Sequence, residues 1–139
     1  MGDPMHGTAS VHVDAAPEQV WALVSDVTRM GEWSPETYEA AWVDGATGPA
    51  IGARFEGRNK RGWVKWSSTC TVTASEPGRE FAFVVGTAEK PVTRWRYEFT
   101  PVAGGTDVTE TWESVHYGFF VKLFASPAKR TQKLDNDIA

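Results

Sequence analysis

The sequence predicts an α+β domain: one strand, two short helices, six further strands forming an antiparallel meander, and a C-terminal helix. Three observations carry this. Thr8 to Asp14 alternates with period two, the spacing turns helical from Pro17 to Val24, and from residue 38 onward strand-like runs are separated by short turns rich in Gly and Pro.

In the first strand Val11 and Val13 share one face, with Ser10, His12 and Asp14 on the other, as a half-buried strand requires. The helix begins at once. Pro17 suits its first turn, where the missing N–H costs nothing, Glu18 complements the positive end of the dipole, and Val20, Leu23 and Val24 share a face. Asp26 is placed to cap a second short helical turn ending near Gly31. Strands are then expected near residues 38–44, 52–59, 63–75, 79–86, 92–101 and 106–115. Asp44 to Pro49 reads as a loop, Asn59-Lys60-Arg61-Gly62 and Glu76-Pro77-Gly78 as hairpin turns, and Pro101 to Gly105 closes the last pair. Ser126-Pro127 resembles an N-cap with proline at N1, and Leu134 and Ile138 continue one face of a final helix over residues 127–139. Met1 to Gly7 reads as a loose tail, leaving one domain over residues 8–139.

Composition narrows the function classes. At 139 residues the chain is long enough to bury a core. A formal net charge of −4 argues against a broad nucleic-acid or anionic-membrane surface. A single cysteine, Cys70, excludes an internal disulfide and fits a reducing compartment. No stretch has the length and apolarity of a membrane span, and the N-terminus lacks the apolar core of a signal peptide, so a cytoplasmic location is expected. No Cys/His cluster has metal spacing and no Gly-rich phosphate loop is present, so neither metal nor other cofactor is expected.

Several segments carry a family resemblance: Ala16-Pro17-Glu18-Gln19-Val20-Trp21, Trp33-Ser34-Pro35-Glu36, Gly52-Ala53-Arg54-Phe55, Trp95-Arg96-Tyr97-Glu98-Phe99 and Gly105-Thr106-Asp107-Val108-Thr109-Glu110. With these the chain resembles the START-like, or SRPBCC, superfamily, specifically its polyketide cyclase/dehydrase and lipid-transport group, over nearly its whole length. The resemblance implies the helix-grip fold, a strongly bent seven-stranded sheet wrapped around the C-terminal helix, with an incompletely filled concave face. Such a fold hosts carriers, receptors, enzymes and co-chaperone domains, so it does not name an activity.

Alternation assigns the side chains that would line that face. Trp66, Ser68, Cys70 and Val72 share one parity, as do Phe81, Phe83 and Val85, and Trp95, Tyr97 and Phe99, leaving Arg94, Arg96 and Glu98 outside. On the last strand Val108, Glu110 and Trp112 oppose Thr109, Thr111 and Glu113, so either Glu110 or Glu113 faces inward. Seven tryptophans is a high count for this length, and rings with a polar edge suit a pocket for a flat or greasy ligand, although any one of them can equally be ordinary core. The resemblance places Trp33 and Tyr38 at the pocket entrance, and Phe120 and Phe124 belong to an apolar run that packs on the sheet, flaps over the cavity mouth or touches a membrane.

Glu36 and His116 are the candidate acid/base groups, with Glu110 and Glu113 as further carboxylates near the pocket. For each carboxylate the plain alternative is a salt bridge with Arg54, Arg94 or Arg96; His116 is equally a surface or capping residue. Arg54 could hold a ligand carboxylate or phenolate. His6 and His12 read as solvated, Cys70 as an inert core thiol, and Arg58, Lys60, Arg61 and Lys65 as a basic cluster around one hairpin.

The function expected is binding or carriage of a hydrophobic small molecule, aromatic, polyketide-like or lipid-like, in an internal cavity. The alternatives are an aromatase/cyclase or dehydratase using acid/base residues in that cavity, and a protein-interaction module. Expected partners are the hydrophobic small molecule and, left open, a second copy of the chain; nucleic acid and integral membrane association are not expected.

Overall fold

Period-two alternation and tight turns produce a seven-stranded antiparallel sheet in the computed structural model, which describes residues 6–114. The strands are β1 (His6–Val13), β2 (Thr37–Val43), β3 (Arg54–Arg61), β4 (Val64–Glu76), β5 (Glu80–Gly86), β6 (Pro91–Val102) and β7 (Gly105–Ser114). From β2 to β7 they form a meander, and β1 closes the far edge by pairing with β7, in the order β1-β7-β6-β5-β4-β3-β2. This arrangement fits the helix-grip fold. His6 and Gly7, expected in the loose tail, are the first residues of β1, opposite Glu113 and Trp112. The helix expected over residues 127–139 lies outside the described residues, as do His116, Phe120 and Phe124.

Helix α1 (Pro17–Ser25) and a 3-10 turn (Val27–Glu32) link β1 to β2. Pro17 occupies the first turn, and the Gln19 side chain accepts from the Ala16 N–H at 3.2 Å, satisfying one of the donors a helix start leaves open. Asp26 caps the 3-10 turn, accepting from the Thr28 N–H at 3.1 Å and its hydroxyl at 2.6 Å. At Gly31 the backbone passes so close to the Tyr38 carbonyl that a Cβ would collide with it, which ties the turn to β2.

The inner face of the sheet is built by cross-strand pairs that alternation aligns. Val11 lies opposite Val108 and Val108 opposite Phe99; Trp112 pairs with Trp95 and Trp95 with Phe83; Cys70 pairs with Phe55. Helix α1 packs over β5, β6 and β7, with Val20 and Val24 buried. The Trp21 indole N–H fixes it by donating to the Glu80 carbonyl at 2.9 Å, and Thr106 donates to the Ala15 carbonyl at 2.7 Å. Register shifts at Thr37/Glu39, Val72/Ala74 and Val85/Gly86 mark bulges, which bend strands and sharpen their twist.

The outer face carries charge. Arg94 pairs with Glu113 at 3.1 Å and Arg96 with Glu80, so of the two glutamates on β7 it is Glu113 that faces solvent and Glu110 that turns inward. Half-exposed His12 bridges two carboxylates, Nδ1 to Asp107 and Nε2 to Asp14, each at 3.0 Å. The Asp107 hydrogen bond raises its pKa above the ordinary 6.5, outweighing the desolvation that opposes it, and the Asp14 hydrogen bond adds a smaller push in the same direction. A raised histidine pKa contributes stability that is fully present below the unfolded value and is lost as pH rises through the folded one. A proton NMR titration should therefore find His12 above 6.5, and Asp107→Asn should bring it back toward the reference value; an unmoved value in that variant would show that the hydrogen bond is not the cause.

Candidate functional site

Helix α1 lies over β5, β6 and β7, with Val20 and Val24 in one buried cluster with Phe81, Phe99 and Val108. Beyond it a cavity of about 580 Å³ opens between the 3-10 turn, the segment 33–37 and strands β3 to β7. Its wall is a run of rings crossing the sheet. Trp95 stacks on Phe83 with centroids 6.4 Å apart and tilts against Trp112 at 6.0 Å, Phe83 meets Phe55 edge-on at 5.1 Å, and Phe55 meets Trp42 edge-on at 5.7 Å. Trp33 closes one side, buried to 2 % exposure and T-shaped against Tyr97 at 5.6 Å. On β4, Trp66, Ser68 and Cys70 face the same space.

One end of the cavity is polar. Asn59 is its hub: the Thr37 hydroxyl donates to its Oδ1 at 2.6 Å, and its Nδ2 donates to Ser68 Oγ at 3.2 Å and to the Gly57 and Trp66 carbonyls at 3.4 Å. The Ser34 hydroxyl accepts from the Thr37 N–H at 3.1 Å, which turns the chain so that Glu36 faces the cavity. The Glu36 carboxylate is 6 % exposed and meets Arg61 at 3.4 Å, so its charge enters the wall with a cation beside it. Among the described residues, the buried indole N–H groups of Trp33 and Trp112, both on the wall, have no hydrogen-bond acceptor. These are donors a ligand oxygen could satisfy.

The wall thus holds Trp66, Ser68, Cys70, Phe83, Trp95, Tyr97 and Trp112 from the alternation argument, together with Trp33 from the resemblance and Glu36. Three other residues expected there are elsewhere. Tyr38 is 41 % exposed with Lys60 over its ring, because the bulge at the start of β2 breaks the alternation and turns it outward. Arg54 has the parity opposite to inward-facing Phe55, and its guanidinium reaches Asp44 at 3.3 Å outside the cavity. Glu110 is buried, but inside the packed core rather than on the cavity wall, where it accepts the Tyr97 hydroxyl at 2.6 Å. Asn59 and Thr37 were not anticipated. Asn59 lies in a strand and not in the expected turn, because β3 runs on to Arg61 and the turn is only Gly62-Trp63; the Phe55, Gly57 alternation continued by one step reaches it.

Burial pushes the Cys70 thiol up to about 12, with Arg54 pulling weakly the other way, so it is protonated and unreactive at neutral pH. Among the described residues no cluster of three His, Cys, Asp or Glu side chains could hold a metal ion, and no helix is long and apolar enough to cross a membrane.

This frame matches a family model described as polyketide cyclase/dehydrase and lipid transport over residues 4–135. The chain belongs to that family. It is therefore a member of the START-like, SRPBCC superfamily. A polyketide-cyclase-like protein from Corynebacterium glutamicum is similar at 32% identity, covering 99% of this chain and 91% of its own, with a TM-score of 0.63. At 12% identity a protein from Chromobacterium violaceum shares the fold, covering 97% of this chain and 98% of its own with a TM-score of 0.73. So does an AHSA1-like protein from Aeromonas hydrophila, at 21% identity, with 96% and 92% covered and a TM-score of 0.68. A search of curated proteins found no match.

The wall separates residues that support the fold from those that only border open space. Trp95, 9 % exposed and in ring contact on two sides, should cost about 3 kcal/mol when replaced by Ala, and half-buried Trp66 about 1 kcal/mol. Urea denaturation measures both, and equal losses would mean that Trp66 is core. Cys70 should resist a disulfide-exchange reagent at pH 8 until denaturant is added; immediate labelling of the folded protein would contradict its burial.

Proposed function

We propose that this protein binds and carries a hydrophobic small molecule, aromatic, polyketide-like or lipid-like, in the cavity between its sheet and the segment 33–37. The observation that carries the reading is the cavity itself. At about 580 Å³ it lies within the range of small-ligand sites, and its ring-lined wall ends in a few fixed polar groups. Phe83, Trp95 and Trp112 would hold a flat apolar body. Asn59, Ser68 and the free indole N–H groups of Trp33 and Trp112 would fix its oxygens. The family name, with its reference to lipid transport, supports the same reading.

A second reading rests on Glu36. Its carboxylate lines the cavity with Arg61 beside it, and the Tyr97 ring belongs to the same wall. In an aromatase/cyclase or dehydratase, Glu36 would accept a proton from a carbon alpha to a carbonyl while the wall folds the chain around it. His116, the other acid/base candidate, would join it from beyond the described residues.

Native mass spectrometry of freshly purified protein should show a bound apolar compound that is released on denaturation. If that compound is released unchanged after incubation, carriage stands; if it is converted and Glu36→Gln abolishes the conversion, the catalytic reading replaces it. An empty protein that also ignores hydrophobic dyes would sink both.

A further inference from the structure

The hairpin joining β3 to β4 turns through Gly62 and Trp63 alone, with Arg61 opposite Val64. Gly62 has φ +61°, and Trp63 is not in the left-handed region, the pattern of a type II′ turn. Such a turn requires glycine at its first central position and leaves the second to any polar residue. Here that position holds a tryptophan with its whole surface in water, 100 % exposed, followed by Val64 at 41 %. Neither the turn nor the core explains it.

A second anomaly lies directly behind the tip. Lys60 and Lys65 face each other across the β3–β4 ladder, and like charges in that position destabilise a sheet. No carboxylate pairs with either lysine among the described residues, while nearby Arg61 and Arg58 are matched to Glu36 and Glu39. The hairpin therefore ends in an apolar ring and a valine backed by two ammonium groups, one of them over the Tyr38 ring and neither with a carboxylate among the described residues. It also borders the cavity, since Val64, Lys65 and Trp66 belong to its wall.

From this arrangement we infer that the Gly62-Trp63 tip docks on an anionic lipid bilayer, holding the cavity mouth against the membrane. Tryptophan is favoured at the headgroup level, where its ring is apolar and its N–H stays hydrated, and lysines beside it meet lipid phosphates. A protein partner fits less well. Stable protein interfaces are broad, whereas a two-residue turn is a narrow convex point that a fluid bilayer can accommodate. The chain's net charge of −4 would repel the rest of its surface from the same membrane and so orient the docked molecule. This contact is peripheral, and it does not require that the cargo of the cavity be a lipid.

Cosedimentation of the full chain with sucrose-loaded vesicles tests it. Binding is expected to equimolar phosphatidylglycerol and phosphatidylcholine at low ionic strength, and to be lost in high salt and on pure phosphatidylcholine. Lys60→Gln and Lys65→Gln should each weaken it about five-fold. Trp63→Ser should weaken it at least as much while leaving the thermal unfolding transition unchanged, and should remove the blue shift of emission that vesicles induce. No binding by the native chain, or equal binding by native and Trp63→Ser proteins, would overturn the proposal. So would self-association, measured by sedimentation velocity, that disappears in Trp63→Ser, since it would assign the tip to a second copy.

Discussion

The strand register that places Trp112 opposite Trp95 and Trp95 opposite Phe83 is the constraint on which the rest of this structure depends. Side chains alternate along a strand, so a slip of one residue would move the whole aromatic row to solvent and bring Arg94, Arg96 and Glu113 into the interior. The cost would be multiplied by Glu110. Its buried carboxyl meets the Tyr97 hydroxyl only in this register, and losing that donor would forfeit a buried hydrogen bond. Hydrophobic pattern and hydrogen bond therefore specify the same pairing.

With the register set, the cavity among the described residues is bounded by two short elements. Helix α1 is nine residues long and spans about 14 Å, and it packs on β5, β6 and β7. The segment 33–37 then forms a side wall instead of a lid. Its shape is held by Ser34 bonded to the Thr37 backbone, Thr37 bonded to Asn59, and Gly31 packed on the Tyr38 carbonyl. The apolar floor and polar end of the site thus have separate origins, the floor in cross-strand pairing and the polar end in one loop pinned to β3.

That division also sets what the site can do. Rings held on a sheet are preorganised and bind a flat body with little loss of freedom, while orientation falls to the few donors and acceptors around Asn59. Glu36 sits in the same polar end with Arg61, so carriage and acid/base chemistry would use the same cavity and differ only in what Glu36 does there. The basic hairpin rises from the rim of this end, which places its exposed Trp63 where a ligand would enter or leave.

Much of this was legible in the residue order. Alternation in β4, β5 and β6 is strict enough to assign Trp66, Phe83, Trp95 and Tyr97 to one face, and the Pro17 and Asp26 signals place α1 and the turn after it, because those preferences act within a few residues. What could not be read were features that depend on a neighbouring strand. The bulge that turns Tyr38 outward exists only in the pairing of β2 with β3, and the choice of Glu110 over Glu113 as the buried carboxyl required knowing which face α1 covers. Asn59 became a site residue because pairing with β4 carries β3 to Arg61 and shortens the turn to two residues. Local periodicity is written in one chain segment; register, bulges and cover are properties of two or more segments brought together, and they settle which of the legible faces becomes a site.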